Sequence, residues 1–305
     1  MTQSIAHSKP RNRVRLSRQD KTYYSVVYTL VTLLTLIVLL PLTNVLACSF
    51  SAPESVASGK VLLWPVNFSV SGYERVFNTD EIWIGYANTL YYTIVGTFVN
   101  VFVTMICAYP LARRGLPYKS FFSFLFAFTM LFSGGLVPTY IIVGKMGLMN
   151  TLWALILPGA VPVWNCILLM NFFRSLPDEL EEAAIIDGAV PIQILVRIYL
   201  PVSLPSLATV MLFCLVGHWN EFFSGLIYMN HSDNYPLATY ISTIVDSAKD
   251  LNLITDPEEI ERIMKVSERN MSSAKIFVSM IPILIIYPFL QRYFVKGIVL
   301  GSVKG

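Results

Sequence analysis

Charge is scarce in this chain. Only 13% of its 305 residues are Asp, Glu, Lys or Arg, about half the share of a soluble globular domain. Histidine is nearly absent: His7, His218 and His231 lie too far apart for an H-E-x-x-H site. The four cysteines, Cys48, Cys107, Cys166 and Cys214, fall in separate apolar runs without C-x-x-C spacing. That excludes the common zinc and redox signatures and leaves them as small buried residues. Also missing is G-x-x-x-x-G-K-[ST]. Gly144-Lys145-Met146 lacks the leading glycine and the hydroxyl, so no loop of the usual kind cradles nucleotide phosphates. With no nucleophile elbow either, the chain is expected to hold no catalytic residue, metal or cofactor. Its net charge of +3 gives no reason to expect nucleic acid as a partner.

What is abundant is apolar sequence in runs of membrane length. Hydrophobic residues make up 55% of the chain, and crossing the hydrocarbon core takes about 20 of them in succession. Six runs qualify: Tyr24–Cys48, Ile82–Leu111, Phe121–Val143, Leu152–Phe172, Leu204–Met229 and Ala274–Phe294. The expected fold is all-α, a polytopic membrane protein with six transmembrane helices over residues 24–294, between a basic tail at 1–23 and a short tail at 295–305. Fourteen of the 22 Lys and Arg residues fall in the N-terminal tail, in the segments after the second and fourth runs, and at the C-terminal end from Arg292 on. The positive-inside rule then places both termini in the cytoplasm, and the basic tail also suits anionic lipid. The first run is too long for a cleaved signal, and Val45-Leu46-Ala47-Cys48 makes a poor lipoprotein box because of Leu46. Ser133-Gly134-Gly135 followed by Pro138 should bend or break the third run.

The cytoplasmic segment at 173–203 is the unusual part. Pro177 suits the first position of a helix, and Asp178, Glu179, Glu181 and Glu182 crowd its first turns, where the dipole favours negative charge. Gly188 suits the left-handed position that ends it. Pro191 opens a second helix and Pro201 closes it. On a helical wheel Leu176, Leu180, Ala183 and Asp187 form one stripe, and Asp178, Glu181, Glu182 and Ile185 fall opposite. Ile185 thus reads as an apolar knob among carboxylates, and Ala183 and Ala184 allow close approach. An apolar centre with a charged rim is how a docking surface is built. The competing reading, a helix lying in the headgroups, would favour Lys and Arg instead.

Glu182-Ala183-Ala184, Asp187-Gly188-Ala189 and Ile198-x-Leu200-Pro201 together resemble the EAA loop of ABC importer permeases, with the family's spacing. Ala87–Arg114, with its A-Y-x-L-A-R exit, and Tyr287–Gly305 are similar to the maltose-type carbohydrate permeases. The 217–237 region is most like the branch that imports larger or acidic saccharides. The resemblance implies a type I importer permease in a bacterial cytoplasmic membrane. It would pair with a homologous second permease, two cytoplasmic ATPase subunits holding ATP and Mg, and an extracellular solute-binding protein, and it would pass a saccharide. Its docking residues would be Glu181, Glu182, Ala183, Ala184, Ile185, Asp187, Gly188 and Ala189, and the C-terminal tail would reach the ATPase dimer.

A candidate substrate path lies in the fifth run, where His218, Trp219, Asn220 and Glu221 share one turn. Ionisable groups inside a membrane are costly and usually functional. Gly217, Glu221 and Gly225 are expected on one helical face, ringed by Trp219, Phe222 and Phe223, beside the reading that these residues merely pack. Asn165 is a further candidate, with Asn171, Asn100 and Thr104 behind it, since polar residues also serve as glue between helices. In the outer loop at 230–273, helices are expected after Pro236 and after Asp256-Pro257-Glu258-Glu259, either as lids or as a landing surface for a binding protein. Three other functions remain open at this point. They are a permease for a non-sugar solute, an ion-coupled secondary transporter using His218 and Glu221, and a membrane enzyme acting on lipid-linked sugar.

Overall fold

The computed structural model describes residues 17–113, 115–250 and 269–288. Among these, one isolated bridge between Ser51 and Phe68 is the only β pairing, and the rest of the regular structure is helical. The expected helix at Asp256–Glu259, residues 1–16 of the basic tail expected at 1–23, and the whole tail expected at 295–305 lie outside the described residues; the basic tail is already helical from Arg18 on.

α1 (Arg18–Ser49) has 32 residues, about 48 Å at 1.5 Å per residue. Asp20 accepts a hydrogen bond from the Ser17 amide at 3.1 Å and closes a capping box. Short helices α2 (Pro53–Ala57) and α3 (Ser71–Phe77) follow. Then comes α4 (Asp80–Ala112), with 33 residues the longest element. α5 (Lys119–Leu131) and α6 (Leu136–Lys145) meet at 110°. The break falls at the expected serine and glycines, with Gly135 at φ +84°, a conformation that costs glycine little.

α7 (Trp153–Ile156) tightens into a 3₁₀ turn at Leu157–Gly159 and meets α8 (Val163–Arg174) at 50°. The continuous fourth span expected from sequence is thus broken, because Pro158 and Pro162 flank the joint and neither has an amide proton to carry the ladder across. α9 (Glu179–Ile186) is followed by α10 (Pro191–Ile194), a π-helical turn at Leu195–Tyr199 and α11 (Leu200–Val202). The π turn lies just before Pro201, where an α-helical ladder would lose a donor.

α12 (Leu204–Asn220) leaves that segment at 85°. It stops at Asn220 instead of running to Met229 as the hydropathy suggested, and α13 (Phe223–Tyr228) is a separate helix. α14 (Leu237–Asp250) and α15 (Arg269–Pro288) complete the described chain. Among the described residues three helices, α1, α4 and α15, are long and apolar enough to cross a membrane alone, and the bent pairs raise the number to six if each is one crossing.

The core is strung along α4. Near its start Ile82 packs with Val76, Leu237, Ala274 and Val278. Midway Tyr92 packs with Ala154, Leu155, Ile156 and Tyr228. At its end Ala108 and Tyr109 pack with Leu169, Phe173, Ala184 and Tyr199. The buried stripe of α4 is small and polar: Thr89, Thr93, Thr97, Asn100 and Thr104 recur at three- and four-residue spacing, which keeps them on one face. Small side chains let membrane helices approach closely. A Cβ on Gly85 would stand 3.2 Å from Leu237 Cα, and the Leu237 amide donates to Thr89 Oγ1 at 2.7 Å. α1, by contrast, leaves Leu30, Leu33, Leu36 and Leu40 exposed along its length, as suits a surface solvated by lipid or by another apolar helix.

Candidate functional site

Two places gather the residues singled out above. The first is the bracket around α9. The Asp187 amide donates to Ala183 O at 3.0 Å, that of Gly188 to Ile185 O at 3.0 Å and that of Ala189 to Ala184 O at 2.9 Å. The last two are the paired bonds of a Schellman motif. It requires the left-handed residue that Gly188 supplies at φ +78°, and no atom lies within 4 Å of where its Cβ would be. Pro177 stands just outside the helix rather than at its first position, because Asp178 is the N-cap.

The faces of α9 differ from those read off the wheel. Ala184 is buried at 7% exposure and Ala189 half-buried, while Glu182, Ala183, Asp187 and Gly188 are exposed. Ile185 is 51% exposed, but Ile186 stands out at 85% and is the outermost apolar residue of the bracket. Its signal was the Ile-Ile pair itself, since adjacent helical residues cannot both face the core.

Glu181 turns inward, its side chain only 16% exposed. Its Oε1 pairs with the Arg113 guanidinium, and its Oε2 accepts a hydrogen bond from the Tyr199 hydroxyl at 2.9 Å. The reason is geometric: Tyr199 lies 18 residues on, its ring edge-on to Tyr109 at 5.1 Å and to Phe173 at 5.2 Å, and only the inward face of α9 reaches it. Arg113 also lies over the Tyr109 ring at 5.5 Å. Neighbouring cations hold the carbonyls at the end of α4: Arg174 donates to Leu111 O at 3.1 Å, and Lys119 to Ala112 O at 3.3 Å and to Arg113 O at 2.7 Å. Basic side chains commonly satisfy a helix C-terminus in this way. Together these groups border an open polar groove of about 770 Å³ beside α9.

The second place is an open cleft of about 320 Å³, lined by Tyr92, Asn100, Asn165, His218, Glu221 and Ser224 among others. His218 Nε2 lies 3.1 Å from Asn100 Oδ1, and Asn100 Nδ2 donates to Gly159 O at 2.9 Å. Asn100 thus ties α4, the joint of α7 and α8, and α12 together. The imidazole stands edge-on to Tyr92 at 4.7 Å. It fits because residue 96 is glycine: a Cβ there would lie 2.8 Å from Nε2. Asn165 donates to Cys214 Sγ at 3.4 Å.

The four-residue turn read from sequence divides. His218 and Glu221 reach the cleft. Trp219 is buried on another side, its Nε1 donating to Ser279 O of α15 at 3.2 Å. Asn220 is exposed and donates back to Val216 O at 2.9 Å. Glu221 is the C-cap of α12 with extended backbone, and its Oε1 accepts from the Ser224 amide at 2.9 Å. The carboxylate therefore satisfies a first-turn amide of α13. The single face expected for Gly217, Glu221 and Gly225 does not form, because the helix has ended: Gly225 belongs to α13 and is pressed against Thr239. Phe222 and Phe223 are exposed and lie edge-on to each other.

Comparison with known proteins places this geometry. Residues 11–300 match the family described as "Binding-protein-dependent transport system inner membrane component". The polygalacturonan/rhamnogalacturonan transport system permease protein YtcP of Bacillus subtilis is 39% identical over 287 residues, covering 94% of this chain and all of that one. Protein LplC of the same organism is 40% identical over 269 residues, covering 88% and 90%. A chain from the crystal structure of a bacterial ABC transporter that imports the acidic polysaccharide alginate superposes with a TM-score of 0.81 at 31% identity, over 92% of this chain and all of that one. A second chain, from the alginate ABC transporter in complex with its alginate pentasaccharide-bound periplasmic protein, shares the fold with a TM-score of 0.62 at 13% identity.

Proposed function

We propose, for a chain that belongs to the family of inner membrane components of binding-protein-dependent transport systems, that it is the permease subunit of an ATP-driven importer of acidic oligosaccharides. The observation that carries this reading is the match, over 94% and 92% of this chain, to a permease named for polygalacturonan/rhamnogalacturonan transport and to a chain of an alginate-importing ABC transporter. The chain forms half of the translocation path and pairs with a homologous permease. The α9 bracket seats on a cytoplasmic ATPase subunit through Glu182, Ala183, Ile185, Ile186 and Asp187, all exposed. ATP and Mg are bound and spent by that partner, since this sequence carries no phosphate-cradling loop. A solute-binding protein delivers the saccharide on the outer side.

The open cleft supplies the recognition chemistry. Half-buried His218, Glu221 and Ser224 line it with polar groups, beside Tyr92, Asn100 and Asn165, which are buried and held within the bundle. Sugars present C–H faces and hydroxyls, and such sites combine mostly apolar walls with a few placed polar groups. Alternating access then needs two discrete arrangements of the bundle, with α9 as the element the ATPase moves.

The test is purification of the tagged chain from native membranes, identification of its companions, and uptake of labelled oligogalacturonate by the complex in vesicles. The expected result is an ATPase and a second permease in the complex, with uptake that requires ATP and the binding protein. Uptake that survives ATP depletion and collapses with a protonophore would instead assign the chain to ion-coupled transport.

A further inference from the structure

We infer that Arg113 and Tyr199 are positioning residues that clamp the docking helix to the end of α4 through Glu181, so that α4 carries the displacement of α9 to the cleft. The inference deepens the transport reading and rests on it.

Four observations carry it. Glu181 differs from Glu179 and Glu182, which are exposed: its carboxylate is turned into the chain and held at both oxygens, by Arg113 from the end of α4 and by Tyr199 from the π turn. Each holder is itself held. Arg113 lies over Tyr109, and Tyr199 is wedged edge-on between Tyr109 and Phe173. Charge-assisted hydrogen bonds with two fixed partners tolerate little rotation.

Next, the last turn of α4 is set up to be moved from outside. Pro110 lies within it and cannot donate to the carbonyl four residues back, while Arg174 and Lys119 grip the terminal carbonyls from neighbouring segments. Last, α4 stays helical from the cleft to Ala112, losing a single ladder bond at Pro110. Asn100 and Gly96, which touch His218, lie 13 and 17 residues before Arg113, about 20 and 26 Å along the axis. By contrast, α9 reaches α8 and α10 through short non-helical connections at 175–178 and 187–190. A packed helix transmits a push that such connections absorb.

The test uses the intact reconstituted complex. Glu181→Gln keeps the shape of the side chain and removes its charge. It should leave the amount of co-purified ATPase unchanged and lower the saccharide imported per ATP hydrolysed by about tenfold, the effect of losing one charged hydrogen-bond pair. Tyr199→Phe removes one hydroxyl and should lower the same ratio by about threefold. The exposed Glu179→Gln, outside the docking residues, should leave the ratio near wild type. Joint exchange, Arg113→Glu with Glu181→Arg, should recover most of what either single change loses. An unchanged ratio in Glu181→Gln, a loss of ATPase from the complex, or a joint exchange no better than the single ones would each overturn the clamp. Should Glu181→Gln leave no stable protein in the membrane, Tyr199→Phe decides. A measurement independent of transport separates this proposal from the one beneath it: with native cysteines replaced, Arg113→Cys and Glu181→Cys should be joined in membranes by a short bifunctional thiol reagent. Absence of that product refutes the clamp, whereas a wild-type complex that hydrolyses no ATP during uptake refutes the transport reading.

Discussion

Replacing Gly96 by alanine sets a methyl group against the His218 ring. A Cβ built there stands 2.8 Å from Nε2, 2.9 Å from Cε1 and 3.1 Å from Cδ2, so it meets the imidazole broadside. Carbon atoms pack at about 3.5–4.0 Å, and the ring must retreat by about 0.7–1 Å to restore that. Tyr92, 4.7 Å away between ring centres, blocks one route. A retreat of that size along the others opens the 3.1 Å contact with Asn100 beyond hydrogen-bonding distance. Overpacking costs about 1–3 kcal/mol and the lost hydrogen bond about 0.5–1.5 kcal/mol. The better helix propensity of alanine offsets about 0.8–1.0 kcal/mol. The net expectation is a destabilisation of about 1–3 kcal/mol. Thermal unfolding of the purified complex reads it, and the same alanine in a His218→Ala background isolates the cause. With the ring gone, Gly96→Ala should be neutral or stabilising by up to about 1 kcal/mol. A cost as large without the ring as with it would refute the reasoning. Gly217 is the control: it lines the same cleft, one residue before His218, with nothing within 4 Å of its Cβ position. Gly217→Ala should therefore stabilise the fold by about 0.5–1 kcal/mol while narrowing the cleft and slowing uptake.

At Gly188 the cost is conformational alone, about 1–2 kcal/mol for a residue with a Cβ at positive φ. Gly188→Asn should keep uptake, whereas Gly188→Pro, which also loses the donor to Ile185 O, should abolish it with a normal amount of protein in the membrane. Ile186→Asp changes an 85% exposed residue, so unfolding should move by less than about 0.5 kcal/mol, but recovery of the ATPase on the tagged chain should fall by about tenfold or more. Asn270 is buried at 1% and donates to Cys48 O at 2.8 Å and Ser51 O at 2.9 Å, tying α15 to the end of α1. Asn270→Ala should cost about 1–3 kcal/mol in thermal unfolding, and Gly72→Ala, whose Cβ would strike Asn270 Oδ1, should be better tolerated in that background.

Much of the docking bracket is legible in the chain because its rules are local. Acidic residues in the first turn, a glycine at the left-handed position and a proline opening the next helix act over a few residues, and the Schellman bonds at Ala184–Ala189 follow from them. The direction in which α9 faces is not local. Ala184 and Glu181 turn inward because Tyr199, Phe173 and Arg113 await them there, and the wheel holds no information on where those partners stand. Glu221 shows the same limit. Hydropathy carries the fifth span to Met229, but α12 ends at Asn220, Glu221 receives the Ser224 amide, and α13 packs separately under Thr239. An apolar run does not report a helix break that leaves its composition apolar on both sides.

Composition and apolar run length already dictate the solvent and the class of fold. A chain with so few charges and membrane-length apolar runs must satisfy its backbone internally, and helices do this one segment at a time. Local sequence also set the break at Ser133–Gly135 and the end of α9 at Gly188, since glycine, proline and capping residues act on their own neighbours. Which polar side chains meet is set by how the helices pack. The pairing of His218 with Asn100, across 118 residues, and of Glu181 with Arg113 and Tyr199 depends on how α4, α9 and α12 pack. The physical reason is that a polar group in an apolar medium takes whichever partner packing brings within about 3 Å, and packing is a property of all the helices together.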